Sequence, residues 1–299
     1  MKRVHKKVRR QGKDLLFDIV LYSICTVMLL LVLYPLWFIV IASFSDPSAV
    51  AGGHVWLWPV GFTLDGYDEL FKQPEVWSGY RNTIVYTVLG TIFGLVVNIP
   101  AAYALSRKDL WGRRALMGLY VFTMFFSGGM IPIFLTVQEM GFYNSFWVMI
   151  IPFAVSAYNI IVARTFFETS LPPDLWDAAQ IDGCGNLRFF FTMALPLSKA
   201  VISVIALWTA VGQWNGYFNA LLYLRDAELH PLQLIMRNIL ITNQVFAAMG
   251  TGEAAMIAMR RANLMRYSMI IIATVPIMCV YPFIQKYFDQ GVMIGAVKG

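Results

Sequence analysis

The chain reads as an all-α polytopic membrane protein with six transmembrane helices and both termini in the cytoplasm. Three observations lead there. Of its 299 residues, 59% are hydrophobic and only 13% charged, whereas a soluble domain is about a quarter charged. Apolar stretches of about 20 residues recur, each long enough to cross roughly 30 Å of hydrocarbon as a helix. The cations also divide unequally between alternate loops, as the positive-inside rule requires. A transmembrane barrel would need many short alternating segments, and none is visible. The mean hydropathy of +0.63 agrees.

The elements follow in order. Residues 1–16 form a basic cytoplasmic tail carrying Lys2, Arg3, Lys6, Lys7, Arg9, Arg10 and Lys13. Such a tail is a solvated topology signal and gives the net charge of +6 no nucleic-acid meaning. A single membrane domain is expected over 17–288, followed by a cytoplasmic tail at 289–299. The first span, about 17–43, is too long for a signal-peptide core and is read as uncleaved. An outer segment, 44–81, holds Trp56, Trp58, Phe62, Tyr67 and Trp77, aromatics that favour the membrane interface.

The second span is about 82–106, with Pro100 as a kink, and a short basic loop follows (Arg107, Lys108, Arg113, Arg114). The third, about 115–137, contains Ser127, Gly128, Gly129 and Pro132, which should break or bend it. The fourth is about 146–167, the fifth about 200–224 and the sixth about 265–288. Between them lie a cytoplasmic loop, 168–199, and a long outer loop, 225–264. With the N-terminus inside, cytoplasmic segments hold 16 of the 23 Lys and Arg residues.

Several chemistries are excluded. GxGxxG and Walker A elements are missing, so the chain itself has no recognisable nucleotide site or cofactor motif. Cys25, Cys184 and Cys279 lack metal or disulfide spacing, and His5, His54 and His230 are scattered. No nucleophile and base pair is suggested for an intramembrane enzyme, and the spans hold almost no acids for proton coupling by a secondary transporter.

The loop at 168–199 is the most informative segment. Leu171-Pro172-Pro173 suits a helix start capped by Ser170 or Leu171, since proline fits the first turn. Asp174 and Asp177 then lie near the positive end of the helix dipole. Leu175, Ala178, Ala179 and Ile181 give a small-residue face suited to a groove on another protein. Asp182 precedes Gly183, which fits a helix stop needing positive φ. A second helical piece, about 186–193, should end before Pro196.

In the fifth span Trp208, Gly212, Asn215 and Asn219 are spaced four, three and four apart and should share one face. Tyr217 lies beside them. Amides in a span face protein or water. Asn215 and Asn219 therefore either join this span to a partner or line a sugar pathway, in which Trp208 and Tyr217 would meet apolar ring faces.

Asp177-Ala178-Ala179, Gly183 and Ala194-Leu195-Pro196 resemble the EAA loop of permease subunits of bacterial ATP-binding-cassette importers, with Asp177 in place of Glu and Ala194 near the usual Ile. Tyr103 to Arg107, Trp214 to Phe218 and the Gly291 to Gly299 tail are similar to the carbohydrate-uptake, maltose-permease-like group. Phe126 to Pro132, and Tyr223 to Asp226 followed by Pro231 to Gln233, look most like permeases of the LplC/YtcP type. This resemblance implies the type I importer permease fold and a non-catalytic subunit of the bacterial cytoplasmic membrane. It also implies a second permease subunit, two ATPase subunits that hold ATP and Mg, and an extracytoplasmic solute-binding protein. It implies that Asp174, Asp177, Ala178, Ala179, Asp182 and Gly183 touch an ATPase. By position, 242–253, with Asn243, Gln244, Gly250 and Glu253, would meet the binding protein, either at its surface or at its sugar cleft. The expected function is import of oligosaccharides; the alternatives are a non-sugar solute or a secondary transporter.

Overall fold

The computed structural model describes residues 12–249 and 262–279, and all regular structure among them is helical. They fall into two compact units. One takes the residues up to Leu70 together with Asn243–Ile271; the other takes Phe71–Thr242 and the residues from Ile272 on.

In the first unit, α1 (Gly12–Ser43) is apolar around its whole circumference and exposed along most of its length. A helix hydrophobic all round belongs in a membrane. Its last turn alone is packed, with Ile41 and Ala42 buried. There Ser45 Oγ donates to the Ile41 carbonyl at 2.6 Å and accepts from the Val60 amide at 3.2 Å. The Tyr67 hydroxyl donates to Ser43 Oγ at 2.8 Å, and the Phe44 ring stacks on Phe62 at 5.8 Å. The short helices α2 (Pro47–Ala51) and α3 (Asp65–Phe71) follow. Gly66 of α3 meets the backbone of α14 (Ala262–Cys279), where a Cβ would lie 2.5 Å from the Leu264 carbonyl oxygen.

The second unit is built on α4 (Pro74–Ser106), which starts eight residues before the expected span. Helices α7 (Ala157–Ser170) and α11 (Lys199–Asn215) pack along it. One core cluster includes Ile99, Ala102, Tyr103, Ile160, Ala163, Phe167, Phe189, Phe190 and Ile205. A second includes Tyr86, Val148, Ile150, Ala220, Tyr223 and Leu234.

Three expected spans differ in form. The third is two helices, α5 (Arg113–Phe125) and α6 (Met130–Glu139), bent by 116° at the Ser127-Gly128-Gly129 break. The fourth is a 3-10 turn (Phe146–Met149), irregular backbone, and then α7. The fifth stops at Asn215 and resumes as α12 (Phe218–Tyr223). By length and composition three helices can cross a membrane, Leu15–Ser43, Pro74–Ser106 and Ala262–Cys279, or up to five spans if each bent pair is counted as one. The segment expected as a long outer loop, 225–264, contains α13 (Leu232–Met249).

Irregular backbone at membrane depth must find internal partners, and side chains of α4 and α11 supply them. Asn98 is fully buried; its Nδ2 donates to the carbonyls of Gly94 and Ala154 at 2.6 and 2.7 Å, and its Oδ1 accepts from the Ser156 amide at 2.8 Å. Gln213 Nε2 donates to the Met149 carbonyl at 3.2 Å. Toward the other end of α4, Asn82 Nδ2 donates to the Glu228 and His230 carbonyls, the Tyr86 hydroxyl to Leu229, and Thr83 Oγ1 accepts from the Leu232 amide. These bonds fix the turn that leads into α13.

Candidate functional site

The polar loop folds as helix, glycine turn, helix. Helix α8 (Pro173–Ile181) begins with Pro173 at its first position, and Pro172 occupies the cap, one residue later than expected. Gly183 has φ +75°, the left-handed region. The Cys184 amide bonds the Ala179 carbonyl at 2.8 Å and the Gly183 amide bonds that of Gln180 at 2.9 Å. This paired closure is a Schellman motif, and it satisfies carbonyls that the helix end would otherwise strand.

Helix α9 (Asn186–Phe189) passes directly into a π turn (Phe190–Ala194) and then α10 (Leu195–Leu197). The chain therefore stays helical through Pro196, contrary to the expected stop. The wider π turn, in which the Leu195 amide reaches back to Phe190, relieves the clash between a proline ring and the carbonyl four residues earlier. The whole segment then bends 80° into α11.

The loop divides cleanly into a buried and a free face. Ala179 is buried in the core, so the expected exposure of both alanines is corrected: only Ala178 faces outward. Asp174, Asp177, Asp182 and Gly183 are exposed, and so are two large apolar side chains, Ile181 at 87% and Leu187 at 77%.

The inward face is locked to the loop that follows α4. The Arg107 guanidinium sits 3.9 Å from the centroid of the Trp176 ring, and Trp176 meets Phe189 edge-on at 5.0 Å. Arg107 Nε and Nη2 donate to the two Asp109 carboxylate oxygens at 3.1 and 3.4 Å. Burial works to raise the Asp109 pKa, but the hydrogen bond and charge of Arg107 prevail and hold it below its ordinary 3.8. Beside this pair, Glu168 bridges Arg113 and Arg164, and both arginines also donate to the Leu105 carbonyl. Arg107, Asp109, Arg113, Glu168, Trp176 and Phe189 line a cleft of 640 Å³ that Asp177 and Gln180 also border. A neighbouring cleft, lined by Trp111 and Leu187, lies on the other side of Arg107; Trp111 is 94% exposed.

On α11, Trp208, Gly212 and Asn215 share an exposed face as their spacing requires. Asn219 does not join them, because the break at Gly216 and Tyr217 puts it on α12. Trp208 packs against Tyr158 of α7, ring centroids 5.5 Å apart. The Asn215 side chain donates to its own helix at Val211. Tyr217 is 41% exposed, with the Arg237 guanidinium 5.7 Å from its ring centroid. The side chains of Asn243 and Gln244, and all of Gly250 and Glu253, lie outside the described residues. No group of three or more His, Cys, Asp or Glu residues among the described residues could hold a metal ion.

Sequence reasoning missed Trp176, Arg107, Trp111, Leu187, Tyr158 and Arg237. Trp111 and Leu187 carried a weak signal, large apolar residues within polar loops. The others take their meaning from partners 13 to 69 residues away in sequence, and one chain's pattern does not reveal such pairs.

A helical membrane chain whose irregular stretches are bonded by side-chain amides of α4 and α11, and which presents a polar helix-turn-helix loop between two of its apolar segments, fits a transport subunit. Residues 76–294 match the model of the family described as "binding-protein-dependent transport system inner membrane component". The chain belongs to that family, and it is a multi-pass protein of the bacterial cytoplasmic membrane. It is 38% identical to the "Polygalacturonan/rhamnogalacturonan transport system permease protein YtcP" of Bacillus subtilis (strain 168), covering 96% of this chain and 100% of that one. It is 37% identical to "Protein LplC" of the same organism, over 93% and 95%. A chain in the crystal structure of a bacterial ABC transporter "involved in the import of the acidic polysaccharide alginate" superposes with a TM-score of 0.83 at 32% identity, covering 94% of this chain and all of that one.

Proposed function

We propose that this chain is one half of the membrane pore of an ATP-driven, binding-protein-dependent importer of oligosaccharides. It pairs with a second permease subunit, stands on two ATPase subunits that carry ATP and Mg, and receives its cargo from an extracytoplasmic binding protein. Both termini and the α8–α9 loop face the cytoplasm, and the chain crosses the membrane six times. The observation that carries this reading is the loop itself. One face is tied into the core through Ala179, Trp176 and Phe189, and the other presents Asp174, Asp177, Ala178, Ile181 and Leu187 with no partner among the described residues. The saccharides carried by the relatives, polygalacturonan and rhamnogalacturonan in one and alginate in another, support a saccharide cargo.

In this mechanism the exposed loop face sits in a cleft on an ATPase subunit. Closure of the ATPases on ATP pushes the loop, and its rigid continuity through the π turn moves α11 and with it the pathway face of Trp208, Asn215 and Tyr217. Nucleotide shifts the equilibrium only as far as it binds the two states differently. On the outer side, residues 242–253, including Asn243, Gln244, Gly250 and Glu253, engage the binding protein.

The test is site-specific crosslinking in the assembled transporter. A cysteine placed at Ala178 or Leu187 should crosslink to an ATPase subunit, and the yield should change when ATP is added. A cysteine at Leu64, exposed and far from the loop in sequence, should not. Crosslinks from neither loop position, in a complex that still imports its cargo, would remove the coupling role.

A further inference from the structure

Four arginines among the described residues are partly buried: Arg107, Arg113, Arg164 and Arg237. Three have a carboxylate, Asp109 for Arg107 and Glu168 for Arg113 and Arg164. Arg237 has none, and its guanidinium makes no hydrogen bond or ion pair to any described residue. An unpaired cation withdrawn from water is costly unless a counter-charge arrives.

The position of Arg237 is fixed. It follows Leu234, Ile235 and Met236, all buried, on the part of α13 held by the Thr83 hydroxyl. The ring of Tyr217 lies beside the guanidinium, so its N–H edge remains free for a ligand. Tyr217 continues the chain from Asn215, whose Oδ1 accepts no hydrogen bond from a described residue.

We propose that Arg237, with Tyr217 and Asn215, forms a subsite for the carboxylate of an acidic sugar at the outer end of the pathway face. The guanidinium takes the carboxylate in a forked pair of hydrogen bonds. The phenol ring meets the apolar face of the pyranose, and the Asn215 amide accepts from a ring hydroxyl. This proposal rests on the oligosaccharide-import reading above and adds the charge of the cargo and the residue that reads it.

The experiment compares uptake of a galacturonate trisaccharide and of its methyl ester by the whole transporter in proteoliposomes with its binding protein, for the native chain, R237Q and R237K. Removing a charge-assisted bond should lower acidic uptake by R237Q about tenfold to a hundredfold. Uptake of the ester should stay within about twofold, and R237K should recover part of the loss. Equal loss of both sugars in R237Q would overturn the subsite and make Arg237 a contact to protein. No loss of acidic uptake, or native uptake of the ester alone, would also overturn it. Native uptake of neither sugar, nor of neutral oligosaccharides, would instead bring down the import reading itself.

Discussion

Gly183 and Gly185 lie two residues apart in the same loop, and the structure assigns them opposite fates on substitution. At both, an added Cβ meets no atom within 4 Å, so sterics with the rest of the molecule do not distinguish them. The backbone does. Gly183 sits at φ +75°, whereas Gly185 sits at φ −79° and ψ 163°, a conformation any residue adopts. Alanine at Gly183 should cost about 1 to 2 kcal/mol, the ordinary penalty of an L-residue in the left-handed region. Alanine at Gly185 should stabilise by about 0.4 to 1 kcal/mol, because it narrows the unfolded chain without strain. Asparagine at Gly183 should fall between, since its side chain tolerates that region. A cost of 1 kcal/mol is about a fivefold change in the population of the closed turn. The assay is transport rate together with retention of the ATPase subunits on purification, measured for G183A, G183N and G185A at equal membrane abundance. The expected order is G185A at or above the native level, then G183N, then G183A. Equal behaviour of G183A and G185A would refute the argument that the turn positions the loop.

Arg107 and Trp176 should be coupled. In a double-mutant cycle of R107A and W176A on thermal stability, the interaction energy should be about 0.5 to 2 kcal/mol, and a value of zero would remove the tether. Because Asp109 titrates below its ordinary 3.8, its pairing with Arg107 is present above that value and lost as pH falls through the lowered one; the tether should not respond to pH across the neutral and mildly acidic range, as ATPase retention would show. Asn98→Ala leaves the Ala154 carbonyl and Ser156 amide without partners, at about 1 to 3 kcal/mol for each, so the melting temperature of the purified protein should fall clearly. Gly66→Ala sets a Cβ against the Leu264 carbonyl and should cost about 1 to 3 kcal/mol, while Gly118→Ala, in open space on α5, should leave the melting curve unchanged or raised.

Much of the helical architecture was legible because lipid imposes a single length scale on apolar runs. The Pro172-Pro173 start and the Gly183 turn were legible because each residue type fits few backbone conformations. The 116° break at Gly128 and Gly129 was foreseen as a bend but not in its size, which depends on what packs on either side. The exposure of Ala179 was misread because a helix's inner and outer faces are set by its neighbours, here Tyr103, Phe167 and Phe189 of the same core. The irregular stretch before α7 was read as helix because its residues are apolar; Asn98 and Gln213 meet its backbone needs from more than 50 residues away. Arg237 was legible only as a charge, since its lack of a carboxylate partner among the described residues is a property of three-dimensional surroundings.

The π turn at Phe190–Ala194 takes up an extra residue inside a continuous helical segment. It holds one residue more than an α-helix of equal rise would, and one residue of an α-helix turns the chain by about 100°. Deleting a single codon within it would restore ordinary winding with the flanking helices in nearly their present phase, and would set the Pro196 ring against the carbonyl four residues earlier. Only one side chain would be lost and the hydrophobic pattern would barely change. Yet the strain that the wide turn now relieves would return at Pro196. The machine is thus more sensitive here to a change in count than to a change in kind, and length across these five positions is a stricter constraint than their identity.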